Sequence, residues 1–243
     1  MPYDTPNANM NQVVVIPATQ RHTASVIFIH GLGQNTFTWR AMIMDGLVPR
    51  LPHVEWVLPQ ASSKPVTYCQ GMRCPSWFNI ATLPPGDAEF DEPAIAESIR
   101  VVESLIIAQI HRGVDSRRII LVGFSQGAAL ALMVALSTLH DLGGVASLSG
   151  WIPPRAQEMV ASPNVPILWC HGAADPEIPI VVAANAVSYL RRNLRDKIQY
   201  KTYLGLSHTI NDEEVNDLLA WLVERNLLSC YSCCACLDLA FQF

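Results

Sequence analysis

Three side chains, spaced far apart but in a telling order, carry the chemistry of this chain. They are a serine in Gly123-Phe124-Ser125-Gln126-Gly127, an aspartate in His171-Gly172-Ala173-Ala174-Asp175-Pro176 and a histidine in Gly205-Leu206-Ser207-His208. A serine hydroxyl is a weak nucleophile until a base takes its proton, and the base needs a third group to fix its tautomer. The pattern G-x-S-x-G marks a nucleophile elbow, a strand-to-helix turn so tight that the neighbours of the serine must be very small. Backbone strain in such a turn presents one oxygen to a substrate. Ser125 is therefore the candidate nucleophile. The chain order serine, acid, histidine, each after a strand, makes Asp175 the orienting acid and His208 the base. Glu177 is the rival acid and reads as a solvated loop carboxylate. His171 precedes the acid instead of following it and is expected to be a turn residue.

Attack by serine creates an oxyanion, which needs N–H donors already aimed at it. The Gln126 amide, at the start of the helix after the elbow, is one expected donor. The second should come from the glycine loop His30-Gly31-Leu32-Gly33-Gln34, with Leu32 as the donor.

These residues must be held by strands and helices, and the hydrophobic pattern supplies both. Arg118 to Val122 reads as the strand before the elbow and Ala128 to Leu136 as the helix after it. Further strands are expected at Ser25–His30, Val54–Leu58, Val145–Ser149, Val165–Cys170 and Ile198–Leu204. Helices are expected at Pro93–Arg112, Val181–Arg192 and Val215–Asn226, the last opening with the N-x-x-E capping pattern Asn211 to Glu214. Alternation of this kind predicts an α/β fold with a mostly parallel central sheet and helices on both faces. The polar, proline-rich stretch Gln60 to Asp91 has no clear period. Its Tyr68, Met72, Trp77, Phe78 and Ile80 predict a packed loop near a site.

Bulk composition narrows the function. Half of the 243 residues are hydrophobic and 15% are charged, which suits one large domain and excludes a disordered chain. The formal net charge is −5 and no basic run exceeds a dipeptide, so no nucleic-acid partner is expected. The first residues lack a basic start followed by an apolar stretch, so no signal peptide is expected. The long apolar run Ile119 to Leu136 is interrupted by Gly123, Ser125, Gln126 and Gly127, which favours strand, elbow and helix over a membrane span. Seven cysteines without an even framework favour reduced thiols and a cytoplasmic location. No ligand cluster for a metal is seen, and no metal or other cofactor is expected.

Six motifs taken together carry a resemblance. His30-Gly31-Leu32-Gly33, Pro75-Ser76-Trp77-Phe78, Gly123-Phe124-Ser125-Gln126-Gly127, Leu148-Ser149-Gly150-Trp151, His171 to Pro176 and Gly205 to His208 occur in the order seen in acyl-protein thioesterases. The chain resembles that phospholipase/carboxylesterase group of α/β-hydrolases over about Val13 to Leu228. The resemblance implies an α/β-hydrolase fold and an enzyme acting on fatty-acyl thioesters of protein cysteines, and also on carboxyl esters and lysophospholipids. It implies the triad Ser125, Asp175 and His208, and oxyanion donors at Leu32 and Gln126. It also implies an acyl channel lined by Trp77, Trp151, Ile178 and Leu206, although those side chains read equally well as core. Its partners would be S-acylated proteins or lipid and ester substrates. Two alternatives stay open at this point: a general carboxylesterase or lysophospholipase acting on small esters, and a non-catalytic ligand-binding protein on the same fold. The oligomeric state is left open.

Two departures bear on loop conformation and substrate preference. The family often has an acidic residue after His-Gly-Leu-Gly, where this chain has Gln34, and often a second glycine after the elbow, where it has Ala128. At the ends, 1–12 is expected to be a flexible N-terminus, 13–228 the hydrolase domain and 229–243 an unstructured cysteine-rich tail. Cys230, Cys233, Cys234 and Cys236 in that tail would give peripheral membrane contact if two or more were acylated.

Overall fold

Along the strand before the elbow, Ile119 and Leu121 join one apolar cluster while Ile120, Val122 and Phe124 join another. A strand that is apolar on both faces must be covered on both. The computed structural model of the chain, which describes residues 13–86, 90–157, 165–194 and 197–228, has that arrangement. The expected readings of 1–12 and of the tail, with Cys230, Cys233, Cys234 and Cys236, lie outside the described residues.

Seven strands form the main sheet. They are β1 (Val13–Ile16), β2 (Ala24–Ile29), β3 (Val54–Pro59), β6 (Ile119–Phe124), β7 (Gly144–Leu148), β8 (Ile167–Gly172) and β9 (Ile198–Tyr203). Their order across the sheet is β1-β3-β2-β6-β7-β8-β9. Strand β1 runs antiparallel to β3, and every other neighbouring pair is parallel. The C-terminal ends of β2, β6, β8 and β9 therefore point the same way, and the glycine loop, the elbow, the acid loop and the histidine loop follow them. Clefts at the carboxyl ends of a parallel sheet are where such folds bind ligands.

The helices are α1 (Glu92–His111), α2 (Gln126–Ser137), the short α3 (Pro154–Gln157), α4 (Ile180–Leu194) and α5 (Asp212–Leu228). Helices α1, α2 and α4 supply one core, through residues such as Ile95, Val102, Leu132, Ala183 and Val187. Helix α5 and the segment from Trp39 to Leu51 supply the other, with Ile43, Leu47, Trp221 and Leu222. Each strand thus feeds alternate side chains into two separate cores. Helix α1 begins where its pattern predicts. Asp91 caps it by accepting from the Ala94 amide (3.4 Å), and Pro93 sits in the first turn. Gly113 follows it with a φ of +88°, a conformation that favours glycine.

Two features differ from the periodicity reading. Within Gln60 to Asp91, β4 (Ser63–Pro65) and β5 (Arg73–Pro75) pair as a separate antiparallel ribbon. Met42–Leu47 forms one turn of π-helix that no sequence signal announced. The apolar run Ile119 to Leu136 divides at the elbow into β6 and α2. Among the described residues no helix is long and apolar enough to cross a membrane.

The Asn211–Glu214 cap closes only by half. Asn211 Oδ1 accepts from the Glu214 amide at 2.9 Å, as the pattern requires. The Glu214 carboxylate does not reach back, and both its oxygens are buried without a hydrogen-bond partner. Burial, reinforced by the nearby Asp217 charge, pushes its pKa up to about 8. The folded chain therefore holds a proton that the unfolded chain releases at ordinary carboxylate pH. Stability linked to this proton is present below the ordinary carboxylate range and is lost as pH rises toward 8. We expect Glu214→Gln to gain melting temperature relative to the parent as pH is raised from about 5 to 8.5. A difference between variant and parent that stays constant across that range would refute the assignment.

Candidate active site

Ser125 occupies the turn between β6 and α2 with φ +52° and ψ −120°, a left-handed φ that residues other than glycine rarely adopt. The two glycines of the elbow are required by contact as well as by turn shape. A Cβ at Gly123 would lie 2.3 Å from the Gly127 carbonyl oxygen, and a Cβ at Gly127 would lie 2.1 Å from that of Ile29. Both obstacles are backbone, so a methyl group at either position would force α2 away from the sheet. The Ser125 amide donates to the Leu148 carbonyl (2.9 Å), tying the turn to the end of β7. Ala128, the departure after the elbow, faces Gly150, where a Cβ would stand 2.6 Å from the Ala128 methyl. The glycine in Leu148-Ser149-Gly150-Trp151 thus makes room for the alanine.

The structure brings the three separated side chains into one hydrogen-bonded line. His208 Nε2 lies 2.8 Å from Ser125 Oγ, and His208 Nδ1 lies 2.7 Å from Asp175 Oδ2. The other Asp175 oxygen accepts from the amides of Glu177 and Ile178, each at 2.9 Å. Burial opposes the Asp175 charge. The hydrogen bond from His208 and the two amides outweigh that cost and hold the carboxyl below its ordinary pKa. Asp175 is therefore an ionised acceptor at neutral pH, which leaves the proton of His208 on Nδ1 and a lone pair on Nε2 facing the serine.

The loops that carry the acid and the base are laced together. Ala173 donates to the Tyr203 carbonyl (2.8 Å) and Ala174 to the Leu206 carbonyl (3.0 Å). Gly172 permits this approach, since a Cβ there would stand 2.3 Å from the Leu206 oxygen and 2.6 Å from that of Ser207. His171 differs from its expected place in a turn. It belongs to β8, is fully buried, and lies 3.6 Å from Asp175 Oδ2 through Nε2. The same nitrogen donates to the Ile178 carbonyl (2.7 Å), and burial lowers its pKa, so it supports the acid loop as a neutral ring.

Backbone amides converge beside the serine. In the glycine loop, the Gly31 amide donates to Gln34 Oε1 (2.8 Å), Gly33 to the Pro75 carbonyl (2.8 Å) and Gln34 to the Gly31 carbonyl (3.2 Å). The Leu32 amide, alone among these four, has no acceptor among the described residues. Neither has the Gln126 amide at the first position of α2, where helix geometry leaves the N–H free. Gln34 explains the first departure: its neutral amide oxygen accepts from both Gly31 and Trp39 Nε1 (2.9 Å), so no carboxylate is needed to hold the loop. His30 braces the loop from below. Its Nδ1 donates to the Gly31 carbonyl (2.7 Å) and its Nε2 accepts from the Ala61 amide (3.1 Å), while burial favours the neutral ring.

Ser125, Leu32, Gln126 and His208 open onto a cavity of about 420 Å³, within the range of small-molecule sites. Tyr68, Ile80, Leu83 and Trp151 give it an apolar wall. Of the four residues expected along an acyl channel, Trp151 lines this cavity. Trp77, Ile178 and Leu206 stand elsewhere. Trp77 and Ile178 are buried in the core beneath, and Leu206 packs toward the core on the other face of the sheet. Trp77 Nε1 donates to the His30 carbonyl (2.8 Å), and its backbone amide donates to the Gln126 side chain (3.0 Å). Gln126 Nε2 also donates to the Phe78 carbonyl (2.7 Å). One side chain thus ties the stretch Gln60 to Asp91 to the elbow. The motif Pro-Ser-Trp-Phe supports the site from behind, and a tryptophan's size alone could not say which side it would take.

The chain is similar to known proteins over most of its length. A family profile described as Phospholipase/Carboxylesterase matches residues 10–225. Acyl-protein thioesterase 1 of Yarrowia lipolytica is 36% identical over 218 residues, covering 87% of this chain and 96% of that protein. Acyl-protein thioesterase 1 of Schizosaccharomyces pombe is 34% identical over 211 residues, covering 85% and 92%. Among solved structures, Arabidopsis thaliana SOBER1 superposes with a TM-score of 0.78 at 28% identity, covering 84% of this chain and 99% of that one. Zea mays acyl-protein thioesterase 2 gives 0.75 at 27% identity, covering 88% and 99%.

Proposed function

Because the chain belongs to the phospholipase/carboxylesterase family of α/β-hydrolases, we propose that it is a serine hydrolase that removes fatty-acyl groups from protein cysteines through an acyl-enzyme on Ser125. The observation that carries this reading is the line Ser125–His208–Asp175, with links of 2.8 and 2.7 Å, opening onto an apolar cavity. The thioesterase names of the relatives support the substrate class.

In this reading His208 Nε2 takes the Ser125 proton as Oγ attacks the thioester carbonyl. The oxyanion is held by the amides of Leu32 and Gln126. His208, now protonated and stabilised by Asp175, returns the proton to the leaving cysteine sulfur, and the acyl group stays on Ser125. Water then attacks the acyl-enzyme with the same base and the same amides, releasing the fatty acid. The acyl chain lies against Tyr68, Ile80, Leu83 and Trp151. The domain carrying this chemistry is taken as 13–228, and the tail cysteines Cys230, Cys233, Cys234 and Cys236 would give peripheral membrane contact if two or more were acylated.

The test is hydrolysis of a palmitoylated cysteine peptide beside a short-chain nitrophenyl ester. Turnover of both is expected, with the long acyl chain giving the higher kcat/KM. Turnover of the short ester alone would replace this reading by that of a general carboxylesterase.

A further inference from the structure

We infer that Glu177 forms a leaving-group subsite that selects acyl-cysteine substrates whose cysteine is flanked by cationic side chains and disfavours those flanked by anionic ones. The inference rests on the thioesterase reading and names a substrate class within it.

What the carboxylate can do depends on which nitrogen of His208 it approaches. A second orienting acid would have to meet Nδ1, and that position belongs to Asp175. Glu177 Oε2 instead lies 3.5 Å from Nε2, the nitrogen that faces Ser125. During acylation Nε2 must hand a proton to the leaving sulfur, which requires that sulfur within hydrogen-bond reach of it. The leaving group therefore passes within about 7 Å of the Glu177 carboxylate, whatever the rest of the substrate. The acyl chain extends away on the other side of the carbonyl carbon, so the charge acts on what flanks the cysteine and not on the fatty acid.

Three further observations place this carboxylate on a held stretch of backbone at the mouth of the site, with no lining cation beside it. Its backbone is held by its own amide, which donates to Asp175 Oδ1 (2.9 Å). The next residue, Ile178, is fully buried. Glu177 is the only Asp, Glu, Lys or Arg that lines the cavity among the described residues, so no cation there neutralises it. Its side chain is 48% exposed, which leaves it accessible to a substrate and places its field at the mouth of the site.

At such distances, in a partly solvated cleft, one charge shifts the binding of another by about three- to tenfold, and salt weakens the effect. The test uses three S-octanoyl-cysteine peptides with lysine, glutamine or glutamate on both sides of the cysteine. The parent should cleave them with kcat/KM in the order lysine, glutamine, glutamate, the outer two differing by about tenfold or more. Glu177→Gln should bring that ratio close to one, Glu177→Lys should invert it, and added salt should shrink it in the parent. Because each ratio is taken within one enzyme, any effect of the substitution on His208 itself cancels. Cleavage of the glutamine peptide with a lysine-to-glutamate ratio near one, or a ratio unchanged in Glu177→Gln, overturns this inference and leaves the thioesterase reading intact. Failure to cleave any of the peptides while a nitrophenyl ester is turned over overturns both.

Discussion

Ser125→Ala is expected to lower kcat on both thioester and oxygen-ester substrates by about 10⁴- to 10⁶-fold, with little change in melting temperature. The hydroxyl has one partner in the site, His208 Nε2 at 2.8 Å. In the proposed mechanism its removal takes away the atom that would form the acyl-enzyme, and His208 then has nothing to activate. The residual rate would come from the Leu32 and Gln126 amides acting on a water attack. The fold should tolerate the change because the strained turn is held by the backbone: the Ser125 amide on Leu148, and the close approach of Gly123 to Gly127 and of Gly127 to Ile29. Alanine inherits the same positive φ that serine already bears, so the strain is not altered. Steady-state kinetics, with a fluorophosphonate probe as a second readout, check this. A kcat within tenfold of the parent, or covalent labelling that persists in the variant, would remove Ser125 from the nucleophile's role.

Asp175→Asn is expected to lower kcat by about 10⁴-fold while leaving KM comparatively unaffected. The reason is the count of donors and acceptors around the carboxylate. One oxygen accepts from two amides, those of Glu177 and Ile178, and the other accepts from His208 Nδ1. An asparagine keeps a single oxygen. If that oxygen stays with the two amides, its NH₂ faces His208 and drives the imidazole proton onto Nε2, where it opposes Ser125. If it turns to His208 instead, its NH₂ meets two amide donors inside a buried loop, which costs stability. The first arrangement leaves every group paired and so prevails, and it disables the base. A loss of less than about tenfold would mean that another group orients His208.

Much of the site was legible before any coordinates. The elbow declares itself because its residue pattern between a strand and a helix is local in the chain; Gly123 is imposed by Gly127 within that unit, while Gly127 is imposed by Ile29 of the neighbouring strand. The order of serine, acid and histidine is legible because each follows a strand whose hydrophobic run can be recognised. The Leu32 and Gln126 amides were expected from the glycine loop and the helix start, and both stand without an acceptor among the described residues. The channel residues were not legible in the same way. Trp77, Ile178 and Leu206 are apolar and sit in the right loops, but whether such a side chain faces a cavity or a core depends on neighbours remote in sequence. Trp77, for one, meets His30 and Gln126, 47 and 49 residues away. The cap at Asn211 went half astray for a related reason: local spacing allowed Glu214 to reach back, and packing of α5 on the sheet buried its carboxylate instead.

By itself the sequence pointed to the class of chemistry, to the three side chains that the structure brings into one hydrogen-bonded line and to the kind of sheet that carries them, because backbone sterics and hydrophobic period act over a few residues. Only the tertiary structure decided the use made of the rest. The adjacency of β8 and β9 lets Gly172 admit the histidine loop, buries His171 under the acid and turns Glu177 toward Nε2 rather than Nδ1. Those outcomes depend on distances of a few ångströms between segments about thirty residues apart, which neither residue type nor spacing encodes.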